Sequence, residues 1–447
     1  MTTVFRPRTL ILFAGDLIFF VLALWFSLAL RELMPPPSVL FFAHLVPFAF
    51  LFAAWISVFF IAGLYERSVI LARRALSATL LVAQIINLVL AALFFFFVPA
   101  FGIAPKTLLV IYLIVSFLLV LLWRAALFPR LGQGEPERAL LIGESPRFVD
   151  LSRALNTAHR SPTRVVAVLK PQEAVPERVR SAIAENGISV VIADFNHPSV
   201  ARAFPGLFNL LTAGVSFFDA AGLYEEVFGR ILLSQIDDRW IARNVSRYAH
   251  TLYDPVKRLM DIVIALPAAL FSLVFYPFIA LTIKIEDGGE VLISMPRAGE
   301  GGAIFNLYKF RSMTGNDRGM YGPGASSKLQ VTRVGRFLRI SRLDELPQLW
   351  NVVRGDISLI GPRPEFPPLV EEYARQIPYY NFRHLVKPGL SGWAQLYHDR
   401  HPHHEAQVEA TREKFSFDLY YLKHRSLLLD ATIVLKTVKK LIMHAGA

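Results

Sequence analysis

IVIALPAALFSLVFYPFIALTI, Ile262–Ile283, is a run of 22 residues without a charge. A helix of that length can cross roughly 30 Å of hydrocarbon. Pro267 and Pro277 lie inside it, and an interior proline removes a backbone hydrogen bond and kinks a helix. Basic residues flank both ends, Lys257 and Arg258 before it and Lys284 after it. Two readings are open: a helix that crosses the membrane, or a broken helix that enters and returns to the same side. Crossing would carry a basic C-terminal region outward, against the tendency of basic segments to stay inside. Residues 296–345 alone hold nine basic and four acidic residues. Return satisfies both prolines and charge, provided the protein supplies partners for the freed backbone groups.

Upstream, four more apolar runs stand out: Thr9–Leu30, Val39–Leu64, Ala75–Val98 and Thr107–Leu127. The first holds only Asp16 as a charge and the last only Arg124; Gln84 and Asn87 are the polar members of the third. Each is long enough to span, and four long runs do not fit a cleaved signal peptide, which has one short apolar core. Arg6, Arg8, Arg67, Arg73, Arg74, Arg130 and Arg138 fall in alternate loops, whereas the other loops carry only Arg31 and Lys106. Both ends of this four-helix unit should therefore face the cytoplasm.

Composition agrees. The 447 residues are 54% apolar and 18% charged, with 47 basic against 35 acidic residues, a net charge of +12. Counted with Gly and without Tyr, the apolar share is roughly 57%, above the roughly 45–50% of soluble domains. A disordered chain is excluded. With no cysteine, disulfides, thiolate nucleophiles and zinc–thiolate sites are excluded as well.

Between the two membrane-seeking regions, residues 131–250 read as a soluble domain. Short apolar runs at Arg138–Gly143, Arg164–Leu169, Ser189–Phe195 and Val215–Asp219 alternate with helix-like stretches. That alternation predicts βαβ units and a parallel sheet, a Rossmann-like domain. The turn after the first strand is Gly143-Glu144-Ser145-Pro146-Arg147. A dinucleotide site needs two or three glycines there, and Glu144 would repel phosphate, so no bound dinucleotide is expected.

Dense polar blocks follow the broken apolar run. They are Tyr308-Lys309-Phe310-Arg311-Ser312-Met313, the arginine series Arg333, Arg336, Arg339 and Arg342, Leu343-Asp344-Glu345-Leu346-Pro347-Gln348, Gly361-Pro362-Arg363-Pro364-Glu365 and Asp418-Leu419-Tyr420-Tyr421. Pro347 suits a first helical turn, which places the carboxylate pair near a helix start, where negative charge is favoured. Arginines three apart gather on one side of a helix. An isolated Asp-Glu pair is usually a solvated cap. Beside a membrane segment and many arginines it points instead to a polyanionic substrate. Arg363, held between prolines, can bind phosphate through two hydrogen bonds. Lys309 and Arg311 alternate with aromatics as on a strand.

Taken in order, these blocks resemble the bacterial sugar transferase family, the monotopic phosphoglycosyl transferases that start glycan assembly on polyprenyl phosphate. The likeness runs from about Tyr253 to the C-terminus and includes the Lys257-Arg258 start and the proline-broken helix; the front half looks like the family's long form. The resemblance implies transfer of a sugar 1-phosphate from a UDP-sugar to undecaprenyl phosphate with release of UMP, as the first membrane step of exopolysaccharide, capsule or O-antigen assembly. It implies Mg²⁺, held by Asp344 and Glu345, and Asp344 as the nucleophile of a covalent phosphosugar intermediate, assisted by Glu345. Arg363 falls on the arginine of the family's Pro-Arg-Pro motif and is implied to contact the nucleotide sugar. Lys309, Arg311, Arg297, Arg336 and Arg339 complete the expected substrate-binding set. The broken helix is implied to be re-entrant, with Pro277 at its break.

Two positions depart from the family: Tyr276 stands where serine is usual, and Met295 where glutamine is usual. The expected architecture is a four-helix membrane domain over 1–130, the Rossmann-like domain over 131–250, and an α+β membrane-associated catalytic domain over 251–447 with the re-entrant helix at 262–283. The location is the bacterial inner membrane, with catalysis on the cytoplasmic face. Membrane lipids, downstream glycosyltransferases and a second copy of the chain are candidate partners; nucleic acid is not.

Other readings are weaker. Tyr253 and Lys257 match the Tyr-x-x-x-Lys pair of short-chain dehydrogenases, as in a membrane-bound nucleotide-sugar dehydratase or epimerase, but Pro255 argues against the continuous helix that pair needs. A non-enzymatic scaffold would need no carboxylate pair. His401-Pro402-His403-His404-Glu405 reads as a surface loop before a metal cluster.

Overall fold

The computed structural model describes residues 7–62, 64–65, 76–98, 106–128, 136–157, 163–244, 253–314, 330–397 and 408–444. His401–Glu405 and most of the glycine-rich loop 314–330 lie outside the described residues. The chain divides into two compact units, Met1–Phe228 and Gly229–Ala447.

The first unit opens with four helices: α1 (Pro7–Glu32), α2 (Ser38–Ile61), α3 (Leu76–Phe97) and α4 (Lys106–Leu122), the last extended by a π-helical turn over Trp123–Leu127. All four are long and apolar enough to cross a bilayer, which makes the chain a membrane protein. Three successive prolines, Pro35 to Pro37, cannot continue α1 and so separate it from α2. Lipid is as apolar as leucine, so burial of apolar surface cannot by itself hold such helices together; packing and hydrogen bonds must. The bundle supplies both. Phe20, Phe48, Phe52, Trp55 and Tyr112 interlock in its centre. Trp55 Nε1 donates to Asn87 O at 3.0 Å and Tyr112 Oη to Phe20 O at 3.1 Å. The two charges of the spans meet inside. Arg124 Nε donates to Asp16 Oδ1 at 2.9 Å, Tyr65 Oη donates to Asp16 Oδ2 at 2.8 Å, and Arg124 Nη1 donates to Leu64 O.

A parallel sheet follows: β1 (Glu137–Ile142), α5 (Pro146–Thr157), β2 (Thr163–Leu169), α6 (Pro176–Asn186), β3 (Val190–Ala193), α7 (Pro198–Ala203), α8 (Phe208–Thr212), β4 (Ser216–Asp219) and α9 (Ala220–Phe228). All four predicted strands are present within two residues of their expected ends. The strand order is β2-β1-β3-β4, every pair parallel. A dinucleotide-binding order would place β3 beyond β2; here the chain winds both ways from β1, as in flavodoxin-like sheets. At Gly143 a Cβ would lie 2.4 Å from the ring of Phe148, so the glycine of this turn makes room for an aromatic side chain.

The second unit begins before the boundary read from the sequence. Trp393 Nε1 donates to Gly229 O at 2.7 Å, Arg230 pairs with Glu413 at 2.5 Å, and Ile231 is buried in a core with Trp393, Phe415 and Phe417. After α10 (Asp238–Asn244) comes α11 (Tyr253–Ser272), then a break, then α12 (Tyr276–Asp287). The two helices bend by 53°. Pro267 sits within α11 without ending it, and Pro277 occupies the first turn of α12, where it is tolerated. The freed groups are satisfied locally by short turns: Leu273 N to Leu270 O, Phe275 N to Ser272 O and Tyr276 N to Leu273 O. Tyr276, the departure from serine, stacks edge-on against buried Phe310.

β5 (Leu292–Ala298) and β6 (Ile304–Phe310) form an antiparallel hairpin. Then come α13 (Arg333–Ile340), a single 3₁₀ turn over Leu343–Glu345, α14 (Gln348–Arg354), β7 (Ser358–Ile360), α15 (Pro367–Gln376), β8 (Gly389–Ser391), which pairs parallel with β7, α16 (Trp393–Tyr397), α17 (Val408–His424) and α18 (Leu427–His444). Ala265 and Ala269 of α11, both fully buried, pack against Leu307 of β6 and Leu349 and Val352 of α14. The broken helix is thereby part of the core that carries the carboxylate pair.

Candidate active site

β6 presents Lys309 and the 3₁₀ turn presents Asp344 and Glu345. Lys309 Nζ lies 3.9 Å from Asp344 Oδ2 and 3.7 Å from Glu345 Oε1. Arg342 Nη1 and Arg363 Nη2 approach the same Glu345 oxygen at 3.3 and 3.8 Å. Three cations thus share Glu345, while Asp344 has one. Asp344 is 5% exposed, and its Oδ1 has no hydrogen-bond partner among the described residues.

Electrostatics separate the two acids. Burial raises the Asp344 carboxyl above its ordinary range; Lys309 opposes this and Glu345 reinforces it. Burial also acts to raise Glu345, but Lys309, Arg363 and Arg342 outweigh it and hold its carboxyl below the usual range. Lys309 is lowered by burial against the pull of Glu345. Neighbouring acids pushed in opposite directions are a mark of divided chemical roles.

The surrounding backbone fixes this geometry. Arg342 adopts a left-handed conformation, φ 58°, unusual for a residue with a Cβ, and so turns the chain from α13 into the 3₁₀ turn. The carboxylates therefore lie in a turn of their own just ahead of α14, near a helix start, with Pro347 at the N-cap of that helix. Glu286 of α12 accepts from Arg333 N at 2.6 Å and caps α13. Asn351, fully buried, bonds the open edge of β6: its Oδ1 accepts from Tyr308 N at 3.1 Å and its Nδ2 donates to Asn306 O at 2.8 Å. At Gly361 a Cβ would meet Lys387 O at 2.4 Å, so only glycine lets the Arg363 turn lie this close to the chain before β8.

The sequence model of the family described as "Bacterial sugar transferase" matches residues 252–444. A UDP-glucose:undecaprenyl-phosphate glucose-1-phosphate transferase of Caulobacter vibrioides is 40% identical over 190 residues, 42% of this chain and 69% of that protein. An uncharacterised sugar transferase of Bacillus subtilis is 35% identical over 195 residues, 43% of this chain and 89% of that one. The chain belongs to the bacterial sugar transferase family. A UDP-N-acetylgalactosamine-undecaprenyl-phosphate N-acetylgalactosaminephosphotransferase of Aeromonas hydrophila is 38% identical over 263 residues, 58% of this chain, and the match spans 60% of that protein's length.

In this sugar transferase the expected site residues divide into two groups. Asp344, Glu345, Lys309 and Arg363 come together. Arg297 lies flat on Phe366, 3.4 Å from the ring centroid, and donates to Pro364 O at 3.4 Å, so it supports the Arg363 turn. Arg311 donates to Met313 O at 2.9 Å, just past the end of β6. Arg336 and Arg339 are exposed on α13, with Arg339 near enough to act on the Asp344 charge. Sequence reasoning missed the contact of Arg342 with Glu345 and the role of Asn351. The first needed the left-handed turn; the second had a signal, a lone amide in the apolar Leu349–Val353 stretch. Tyr253 and Lys257 do share one continuous helix, because Pro255 falls in its first turn; both side chains bond Asp430 at 2.8 Å.

Proposed function

We propose that the chain transfers a sugar 1-phosphate from a UDP-sugar to undecaprenyl phosphate, releasing UMP, at the cytoplasmic face of the bacterial inner membrane. The observation that carries this reading is the bare Asp344 oxygen beside Lys309, next to a Glu345 already neutralised by three cations. The printed activities of the relatives supply the substrate class.

In the first half-reaction an Asp344 carboxylate oxygen attacks the sugar-linked phosphorus. The bond from that phosphorus to the bridging oxygen breaks, and UMP leaves with the electron pair. The phosphosugar is then an acyl phosphate on Asp344. In the second half-reaction an oxygen of the lipid phosphate attacks the same phosphorus and frees Asp344. Splitting one transfer into two displacements is the gain of covalent catalysis. Lys309 and Arg363, both beside the carboxylate pair, would offset the negative charge of the donor diphosphate.

Two adjacent carboxylates with an unpartnered oxygen fit Mg²⁺, a hard cation bound through one or two carboxylates plus substrate phosphates. Asp344 and Glu345 are the residues that would hold it, with substrate phosphates completing the oxygen set. When bound, the ion neutralises part of the diphosphate charge.

The α11–α12 pair is read as re-entrant, which holds the active site at the level of the lipid phosphate. Its 53° bend and basic flanks support this. Because the chain has no cysteine, single cysteines at Glu290 and Ala447 report topology cleanly. Both should resist a membrane-impermeant thiol reagent in intact spheroplasts and react once these are opened. Labelling of either from outside would overturn this topology.

UMP release from membranes given a panel of UDP-sugars, with and without undecaprenyl phosphate, tests the activity and identifies the sugar. No lipid-dependent UMP with any sugar would overturn the proposal. Acidity gives a second test. Asp344 acts ionised and its carboxyl is raised, so the acid limb of adduct formation should lie above the ordinary aspartate value of 3.8. Lys309 favours the charged form. Lys309→Met should therefore shift that limb to still higher pH and slow adduct formation about tenfold or more at neutral pH. A limb that stays put or moves down counts against Asp344 as the titrating group.

A further inference from the structure

Four charged side chains lie under the Arg363 turn, away from the carboxylate pair. Side-chain exposure is 2% for Arg383, 2% for Asp418, 5% for Lys414 and 13% for Glu365. Lys414 pairs with Glu365. Arg383 Nη1 lies 3.6 Å from Glu365 and donates to Tyr380 Oη at 2.5 Å. Arg383 Nη2 lies 2.9 Å from Asp418 and donates to the main-chain oxygen of Arg363, also at 2.9 Å. The neighbouring carbonyls are held too: Pro364 O accepts from Arg297, and Glu365 O accepts from Ala298 N at 2.9 Å.

Such a cluster is a poor stabilising device. Removing four charges from water costs several kcal/mol per ion, and well-packed apolar side chains often do as well. What charged, hydrogen-bonded groups add is one fixed geometry. Arg383 alone in the cluster both pairs with Asp418 and Glu365 and donates to the backbone of Arg363, the residue whose guanidinium faces Glu345. A planar fork suits that double task, and an ammonium does not.

We infer that Arg383 is a positioning residue: anchored by Asp418 and Glu365, it fixes the Arg363 backbone so that the Arg363 guanidinium is presented to Glu345. This rests on the reading of Arg363 as part of the site. A double-mutant cycle in the full-length protein tests it, with turnover and donor-only adduct formation as readouts. Arg383→Lys keeps the charge but loses the fork, and should slow both about tenfold in the wild-type background. In Arg363→Ala the same substitution should cost less than about twofold, because nothing is left to position. Asp418→Asn, which releases the anchor and keeps the shape, should follow the same pattern and serves if the lysine variant does not fold. An equal loss in both backgrounds, with Arg363→Ala itself impaired, would mean a general structural role and overturn the inference alone. Unchanged turnover in Arg363→Ala would overturn the reading of the site, and the inference with it.

Discussion

Asp344→Asn is expected to abolish both UMP release and the covalent phosphosugar adduct, a loss of at least about 10³-fold. The substitution keeps size and shape and removes the charged oxygen. Asp344 is the acid whose Oδ1 has no partner among the described residues, whereas Glu345 is occupied by Lys309, Arg342 and Arg363. Enzyme incubated with radiolabelled UDP-sugar and Mg²⁺, without lipid, should carry label on a peptide spanning residues 343–354. Mass spectrometry should place it on Asp344. Glu345→Gln should also slow turnover, by disturbing the charges around that oxygen. Label found on Glu345, or full labelling of the asparagine variant, would reverse the assignment. Equal losses in both single variants would not discriminate, since residues acting as a unit give non-additive losses.

The second large effect concerns where the catalytic unit begins. A chain of residues 229–447 should fold in membranes and form the adduct; one of residues 251–447 should fold poorly and lose most of its activity. The shorter chain strips the acceptor from the Trp393 indole, which is 7% exposed, and the ion pair from Glu413. A buried donor without an acceptor costs about 1–3 kcal/mol. Loss of Ile231 opens a cavity in the same core, for which large-to-small changes cost about 2–5 kcal/mol. Together these approach the whole stability of a typical domain, about 5–15 kcal/mol. Yield after mild proteolysis and adduct formation per folded molecule are the measurements. Equal behaviour of the two chains would show that Gly229–Asn244 is dispensable.

That boundary shows where sequence reading stops. The four spans and the four strands of the first unit were legible because periodicity and run length report burial directly. The charged blocks were legible as a group because they stand together in the sequence just after the broken apolar run. Gly229–Asn244 was not, because its partners, Trp393, Glu413 and Ser416, lie more than 150 residues away. The left-handed Arg342 was hidden for a different reason: nothing in Ser341-Arg342-Leu343 advertises a positive φ, and surrounding contacts impose it. The arginine series misled in part. Spacing placed Arg342 on the helix with Arg333, Arg336 and Arg339, but α13 ends at Ile340, and the one arginine beyond it is the one that reaches Glu345.

The pair buried between α1 and α4 bears on how the chain is made. Asp16 leaves the ribosome 108 residues before Arg124. Until then its carboxylate has no guanidinium to meet, and a bare charge at that depth costs a few kcal/mol or more. The buried pair can therefore form only after the last of the four spans has been made. A chain that stops before Arg124 would leave Asp16 without the guanidinium it meets in the finished bundle.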